Sequence, residues 1–204
     1  AFRLYRDVSP FSAIPEIDRI AKSHGLKAAV ELRMVSGNPA EPFFDDLANA
    51  NRVAEAAFAA LAVRDVAVFV DSLVDIDRGY FVRTGLVDRR YNPRLAGHVL
   101  RNLYSAINAG NGETYIGSAR SATGGRMFTL NRPRETTVLI LPEPELTIHE
   151  IFVDTQLEPE SGTGSWIDLE TGVITSVGWE RVRRTAGPQI RLTPSMRCKR
   201  PSLF

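Results

Sequence analysis

The stretch KAAVELRMV, residues 27–35, decides how the first half of the chain is read. It is short and apolar, with Gly25 before it and the loop SGNPAEP after it, which marks a buried strand. Its neighbours are helical. Ser12 to His24 places Ile14, Ile17, Ile20 and Ala21 at helical spacing, and Gly25 ends that run as a C′ residue does. DDLANANRVAEAAFAALAVRD (45–65) carries the stripe Val53, Ala56, Ala57, Ala60, Leu61, with Asp45 and Asp46 in its first turn. VAVFVDSLV (66–74), rich in β-branched residues, reads as a second buried strand. RLAGHVLRNLYSAIN (94–108) follows a polar loop and is introduced by Pro93, a favoured place for proline before a helix. Helix and strand alternate, with strands starting at 27 and 66, which is the rhythm of βα units in a parallel sheet. Runs apolar on both faces predict strands covered by helices on both sides.

After NAGNGE (108–113) the helical period ends. TYIGSA, GRMFTL, TTVLILP, TIHEIFVD, SWIDL, GVITSVGW and QIRLTP alternate with turn clusters such as Gly124-Gly125, SGTGS (161–165) and Gly187-Pro188. Roughly six or seven strands at this spacing predict an all-β sandwich or small barrel. The expected organisation is an α/β segment over 1–109 and a β-sandwich over 110–204.

Composition narrows the function classes. With 44% apolar and 24% charged residues, the 204-residue chain has enough apolar mass for a core. Lys and Arg number 25 against 24 Asp and Glu, so no global field draws it to nucleic acid or to an anionic membrane. No apolar run approaches ~18 residues, so no membrane-spanning helix is expected. A single cysteine, Cys198, excludes an internal disulfide, and His24, His98 and His149 have no metal-ligand spacing. Neither cofactor nor metal is expected. The absence of an export signal and of disulfides points to the cytoplasm. The opening AFRLYRD reads like the interior of a longer chain. Two parallel strands leave both sheet edges open, so the expected partner is a preceding part of the same protein or another copy in a homo-oligomer.

Strand alternation puts Ala29, Glu31 and Arg33 on one face, with Glu31 and Arg33 near the strand's C-terminal end. The same counting puts Asp71 toward the end of the neighbouring strand. Adjacent carboxylates at strand ends are raw material for acid–base or nucleophile–acid chemistry; a structural Glu31–Arg33 ion pair is the plainer alternative. DIDRGYFVRTGLVDRRYNPR (75–94) sets five arginines against three aspartates with aromatics between them. Arginine forks hold carboxylates and phosphates, and aromatics with Asp suit sugar rings, which makes Asp75, Asp77, Arg78, Tyr80 and Arg83 candidate substrate-binding residues. A salt-bridged scaffold is the alternative there. Asn38 occupies a comparable place after the first strand, where a turn role in Gly37-Asn38-Pro39 competes. Trp166 and Trp179 fit buried core better than carbohydrate stacking. No G-x-S-x-G elbow, Walker loop or dinucleotide glycine motif is present.

The order AAVELRM, a βα unit, a last strand running into DIDRGYFVRTGLVDRRYNPR and a Gly-rich crossing into β-strands resembles the C-terminal end of glycoside-hydrolase-like proteins. These have a (β/α)₈ barrel followed by a β-domain, and the chain is most similar among them to the D-apionate lactonase type of sugar-acid enzyme. The resemblance implies the last βα units of a TIM-type barrel joined to a C-terminal antiparallel β-sandwich. It places Glu31 at the nucleophile's position, on the seventh barrel strand, with the acid/base carboxylate on a fourth strand that this chain does not include. The function it implies is hydrolysis of a glycoside or sugar lactone, with a small carbohydrate or sugar-acid ligand. The alternative from a different class is a non-catalytic carbohydrate-binding or interaction module. Burial separates them: an open cleft shared by Glu31 and Asp71 favours the enzyme, a closed arginine-capped network the scaffold.

Overall fold

The computed structural model describes residues 1–204 apart from 35–45, 64, 78–80, 83, 108–115, 123–124, 133–134, 144–145, 149–150, 155–159, 185–186 and 194–196. The chain divides into two units, Ala1–Arg101 and Asn102–Phe204.

The first unit runs β1 (Phe2–Leu4), α1 (Pro10–Ser23), β2 (Ala28–Leu32), α2 (Asp46–Ala62), β3 (Val66–Val70), β4 (Ile76–Asp77), β5 (Phe81–Val82) and the start of α3 (Leu95–Ala106). β1, β2 and β3 form a parallel sheet in that order, with Arg3, Glu31 and Phe69 in one cross-strand row. β2 and β3 are the strands the sequence predicts; β1 is an addition, three residues long and too short to show a period.

This sheet corrects the expected TIM-type barrel. A barrel closes when its first and last strands pair, whereas among the described residues β1 and β3 each pair only with β2. Among the described residues the whole chain has three helices. The covering differs too. Val30, Leu32 and Met34 are fully buried on the side where α1 and α2 pack. The other face carries Arg3, Glu31 and Arg33, and Phe69 there is 59% exposed, so the sheet is not buried on both sides.

α1 starts at Pro10, whose missing N–H suits the first helical position. Its N-cap Ser9 makes no cap of its own; instead Glu55 of α2 accepts hydrogen bonds from Ser9 Oγ and, at 3.2 Å, from the Phe11 N–H. Gly25, at φ 67°, ends the helix, and the Leu26 N–H reaches the Ala21 carbonyl at 2.9 Å. In α2 the predicted stripe is buried through Ala57, but so are Asn49, Asn51, Arg52 and Glu55 on its other sides.

The second unit contains β6 (Ile116–Ala122), β7 (Gly125–Arg132), β8 (Glu135–Pro142), β9 (Phe152–Asp154), β10 (Ser161–Asp168), β11 (Ile174–Arg184), β12 (Gly187–Thr193) and β13 (Ser202–Leu203). All belong to one antiparallel sheet, in the order β6-β7-β8-β13-β10-β11-β12-β9, which corrects the expected two-sheet sandwich. Met127 of β7, Val138 and Ile140 of β8, Val153 of β9, Trp166 of β10, Trp179 of β11 and Ile190 of β12 share one buried cluster. Strands from nearly opposite ends of the sheet thus meet around one core, which requires the sheet to curl on itself. SGTGS, expected as a turn, is the first half of β10. A Cβ at Gly162 would lie 2.7 Å from the Trp179 ring, and one at Gly164 the same distance from Phe204, so these glycines leave room for rings lying across the strand.

Candidate functional site

The ladder between the parallel strands continues past their ends. The Arg33 N–H bonds the Leu4 carbonyl at 2.9 Å and the Asp71 N–H bonds the Leu32 carbonyl at 3.2 Å. Alternation therefore carries Glu31 and Arg33 along β2 on the open face, and brings Asp71 beside Arg33 just beyond β3.

Glu31 is held from two sides. Arg33 Nη1 donates to its Oε1 at 2.9 Å and Arg3 Nε to its Oε2 at 2.8 Å. Its side chain keeps 31% of its surface exposed, whereas Asp71 keeps 10%. Arg33 Nε lies 3.4 Å from Asp71 Oδ2, a charge contact outside hydrogen-bond geometry. Arg33 Nε and Asp71 Oδ1 are both buried and have no hydrogen-bond partner among the described residues. Buried polar atoms are paired in most proteins, so among the described residues the Arg33–Asp71 contact is a place where hydrogen-bonding capacity stays open.

The two carboxyls are shifted in opposite directions. Hydrogen bonds from Arg33 and then Arg3 hold Glu31 below the usual carboxylate range. Burial raises Asp71, and the neighbouring Glu31 charge adds to that; the charges of Arg33 and Arg52 and the Met34 N–H oppose it without cancelling it. The arrangement keeps Glu31 ionised and leaves Asp71 the readier of the two to hold a proton.

The structure thus brings Glu31, Arg33 and Asp71 together. It engages Asp75 elsewhere: Arg94 Nε donates to its Oδ2 at 2.9 Å, Arg94 Nη2 closes a second contact, and the Gly85 N–H donates to Oδ1 at 3.0 Å. That carboxylate braces the loop, and so does Asp88, which accepts from the Arg90 and Asn92 N–H groups. Asp77 lies in β4 and its side chain is not described; Asn38, Arg78, Tyr80 and Arg83 lie outside the described residues. Arg3 and Arg52 are contributors that the sequence reading omits. The signal for Arg3 is its alternation with Phe2 and Leu4; nothing in the stripe of α2 distinguishes Arg52 from a solvated residue.

Elsewhere, Trp166 and Trp179 are core residues. Cys198 is buried, which pushes its thiol up to about 11. Among the described residues no group of three His, Cys, Asp or Glu side chains is placed to hold a metal ion, and no helix is long and apolar enough to cross a membrane. A scan against protein-family models finds no matching family, and a search of the curated proteins finds no match.

Proposed function

We propose that the chain takes part in hydrolysing a sugar or sugar-acid derivative, a glycoside or sugar lactone, through the row Glu31–Arg33–Asp71. The observation that carries this reading is geometric: two carboxyls at neighbouring strand ends flank Arg33, Glu31 partly exposed and Asp71 with 10% of its side chain exposed, and their surroundings displace them in opposite directions. Glu31, ionised and partly exposed, acts as the nucleophile or base. Asp71 gives a proton to the departing oxygen. With Glu31 as nucleophile, Asp71 recovers one from the water that releases the intermediate; with Glu31 as base, the water's proton goes to Glu31 and Asp71 is reprotonated from solvent. Arg33, beside both, offsets negative charge as it develops. The resemblance of 75–94 to sugar-processing enzymes supports the substrate class. A small carbohydrate or sugar-acid partner and a cytoplasmic setting belong to the same proposal.

A second reading, a non-catalytic carbohydrate-binding or interaction module, draws on the occupation of both Glu31 oxygens by arginines and on Asp71 lying buried beside Arg33, the arginine-capped arrangement that favours a scaffold. The discriminating experiment assays 4-nitrophenyl glycosides and aldonolactones with the wild type, Glu31→Gln and Asp71→Asn, and records melting curves. Catalysis predicts that Asp71→Asn loses about 10²–10⁴-fold in turnover, the usual contribution of a positioned proton-transfer group. Its stability should hold or rise at neutral pH, because the amide removes a charge that burial disfavours. A carboxyl raised in the folded state contributes stability in acid that is lost as pH climbs through its folded value. The advantage of Asp71→Asn should therefore vanish in acid. Variants that keep full turnover but melt lower would overturn the catalytic reading, and saturable sugar binding without turnover would establish the second one.

A further inference from the structure

We propose that Arg52 is the positioning residue of this site: its guanidinium fork, seated on backbone carbonyls from the ends of β1 and β2, fixes Arg33 beside Asp71. Arg52 lies in α2 and is 7% exposed. Its Nε donates to the Arg33 carbonyl at 3.0 Å. Nη2 donates to the carbonyls of Leu4 at 2.8 Å and Tyr5 at 2.6 Å, and Nη1 to Val8 at 3.0 Å and Arg6 at 3.5 Å. A planar fork with five N–H donors is the side chain able to serve several carbonyls at once.

Two features tie this cage to the site rather than to core packing in general. Leu4 is the last residue of β1, and Arg33 directly follows β2. These carbonyls lie where the chain leaves the sheet, and the Arg33 peptide is the one whose side chain reaches both Glu31 and Asp71. Arg52 also acts on Asp71 through its charge, in the same sense as Arg33 and against Glu31. Among the described residues, Arg33, Glu31 and Arg52 are the charged groups that act on that carboxyl. Further along α2, Glu55 faces Ser9 and Phe11 instead.

The proposal rests on the acid–base reading for its consequence, but its test needs no substrate. The Asp71 carboxyl is titrated by carbon-13 NMR in the wild type and in Arg52→Lys, which keeps the charge and loses the fork. The Arg52 Hε resonance is followed through the same wild-type titration. Expected are an Asp71 midpoint at higher pH in Arg52→Lys, as Arg33 loosens, and an Arg52 Hε shift that tracks the wild-type Asp71 midpoint. An unchanged midpoint in a folded Arg52→Lys overturns the proposal. Should that variant not fold, the wild-type titration decides, and an Arg52 Hε resonance flat across the Asp71 transition overturns it. Coupled titrations together with no turnover on any sugar substrate would uphold the role of Arg52 while sinking the acid–base reading.

Discussion

Replacing Glu55 by alanine should destabilise the first unit by about 3 kcal/mol, the combined effect of a lost helix cap and stranded donors. Glu55 is 1% exposed and caps α1 from outside that helix, accepting from Ser9 Oγ and from the Phe11 N–H. Loss of an N-cap acceptor costs about 1 kcal/mol. Leaving part-buried donors without partners adds about 1–3 kcal/mol. Glu55→Gln keeps an acceptor oxygen and removes only the charge at the helix N-terminus, about 0.3–1 kcal/mol. Because Ser9 and Glu55 share one contact, Ser9→Ala combined with Glu55→Ala should cost less than the two added separately. The assay is urea unfolding followed by ellipticity at 222 nm, since α1 and α2 lie in this unit and both tryptophans lie in the other. With an m-value of ~1.5 kcal/mol/M, the alanine midpoint should fall by about 2 M. Equal effects of alanine and glutamine, or a loss under ~1 kcal/mol for alanine, would show that Glu55 does not cap α1.

Three further outcomes follow from local geometry. Cys198, buried and with its thiol at about 11, should resist a disulfide reagent at pH 8 in the native protein and react promptly once unfolded; stoichiometric labelling of the native protein within minutes would contradict that burial. Gly162→Ala puts a Cβ 2.7 Å from the Trp179 ring and should cost about 1–3 kcal/mol with a red-shifted tryptophan emission. An unchanged spectrum and midpoint would mean that the ring does not lie across β10. Tyr91, at φ 62° and 75% exposed, holds a left-handed conformation with little side-chain burial in return, so Tyr91→Asn should stabilise by about 1 kcal/mol in thermal melts. A lower melting temperature would show that the ring has a partner worth more than the strain.

The apolar runs 27–35 and 66–74 reveal β2 and β3, and period-two counting alone brings Glu31, Arg33 and Asp71 to one face. Whether that face is covered is not written in the runs themselves. Ala67 and Phe69 read as buried positions, yet Phe69 stands largely exposed, because apolar residues at alternating positions look the same whether or not something packs on them. β1 escapes notice because three residues carry no period, and with it goes Arg3. Arg52 and Glu55 read as the wet side of α2, since their role lies in carbonyls and donors contributed by distant segments. In the second unit, seven strands fall on predicted runs, but glycine in SGTGS signals a turn when read locally. Only the rings of Trp179 and Phe204 across the strand explain it.

β13 has a consequence for how the second unit comes together. β6, β7 and β8 form one meander and β10, β11 and β12 another, with the earlier strand β9 pairing on the outer side of β12; Ser202–Leu203 pairs with β8 on one side and β10 on the other. Among the described residues the two meanders therefore share no ladder until this late segment is in place. During synthesis from the N-terminus, each can assemble by local hairpins, but the seam between them stays open until residues 202–203 leave the ribosome. Such late, long-range closure slows folding and leaves the β8 and β10 edges unpaired in the meantime, the kind of exposed strand edge on which chaperones and aggregation compete.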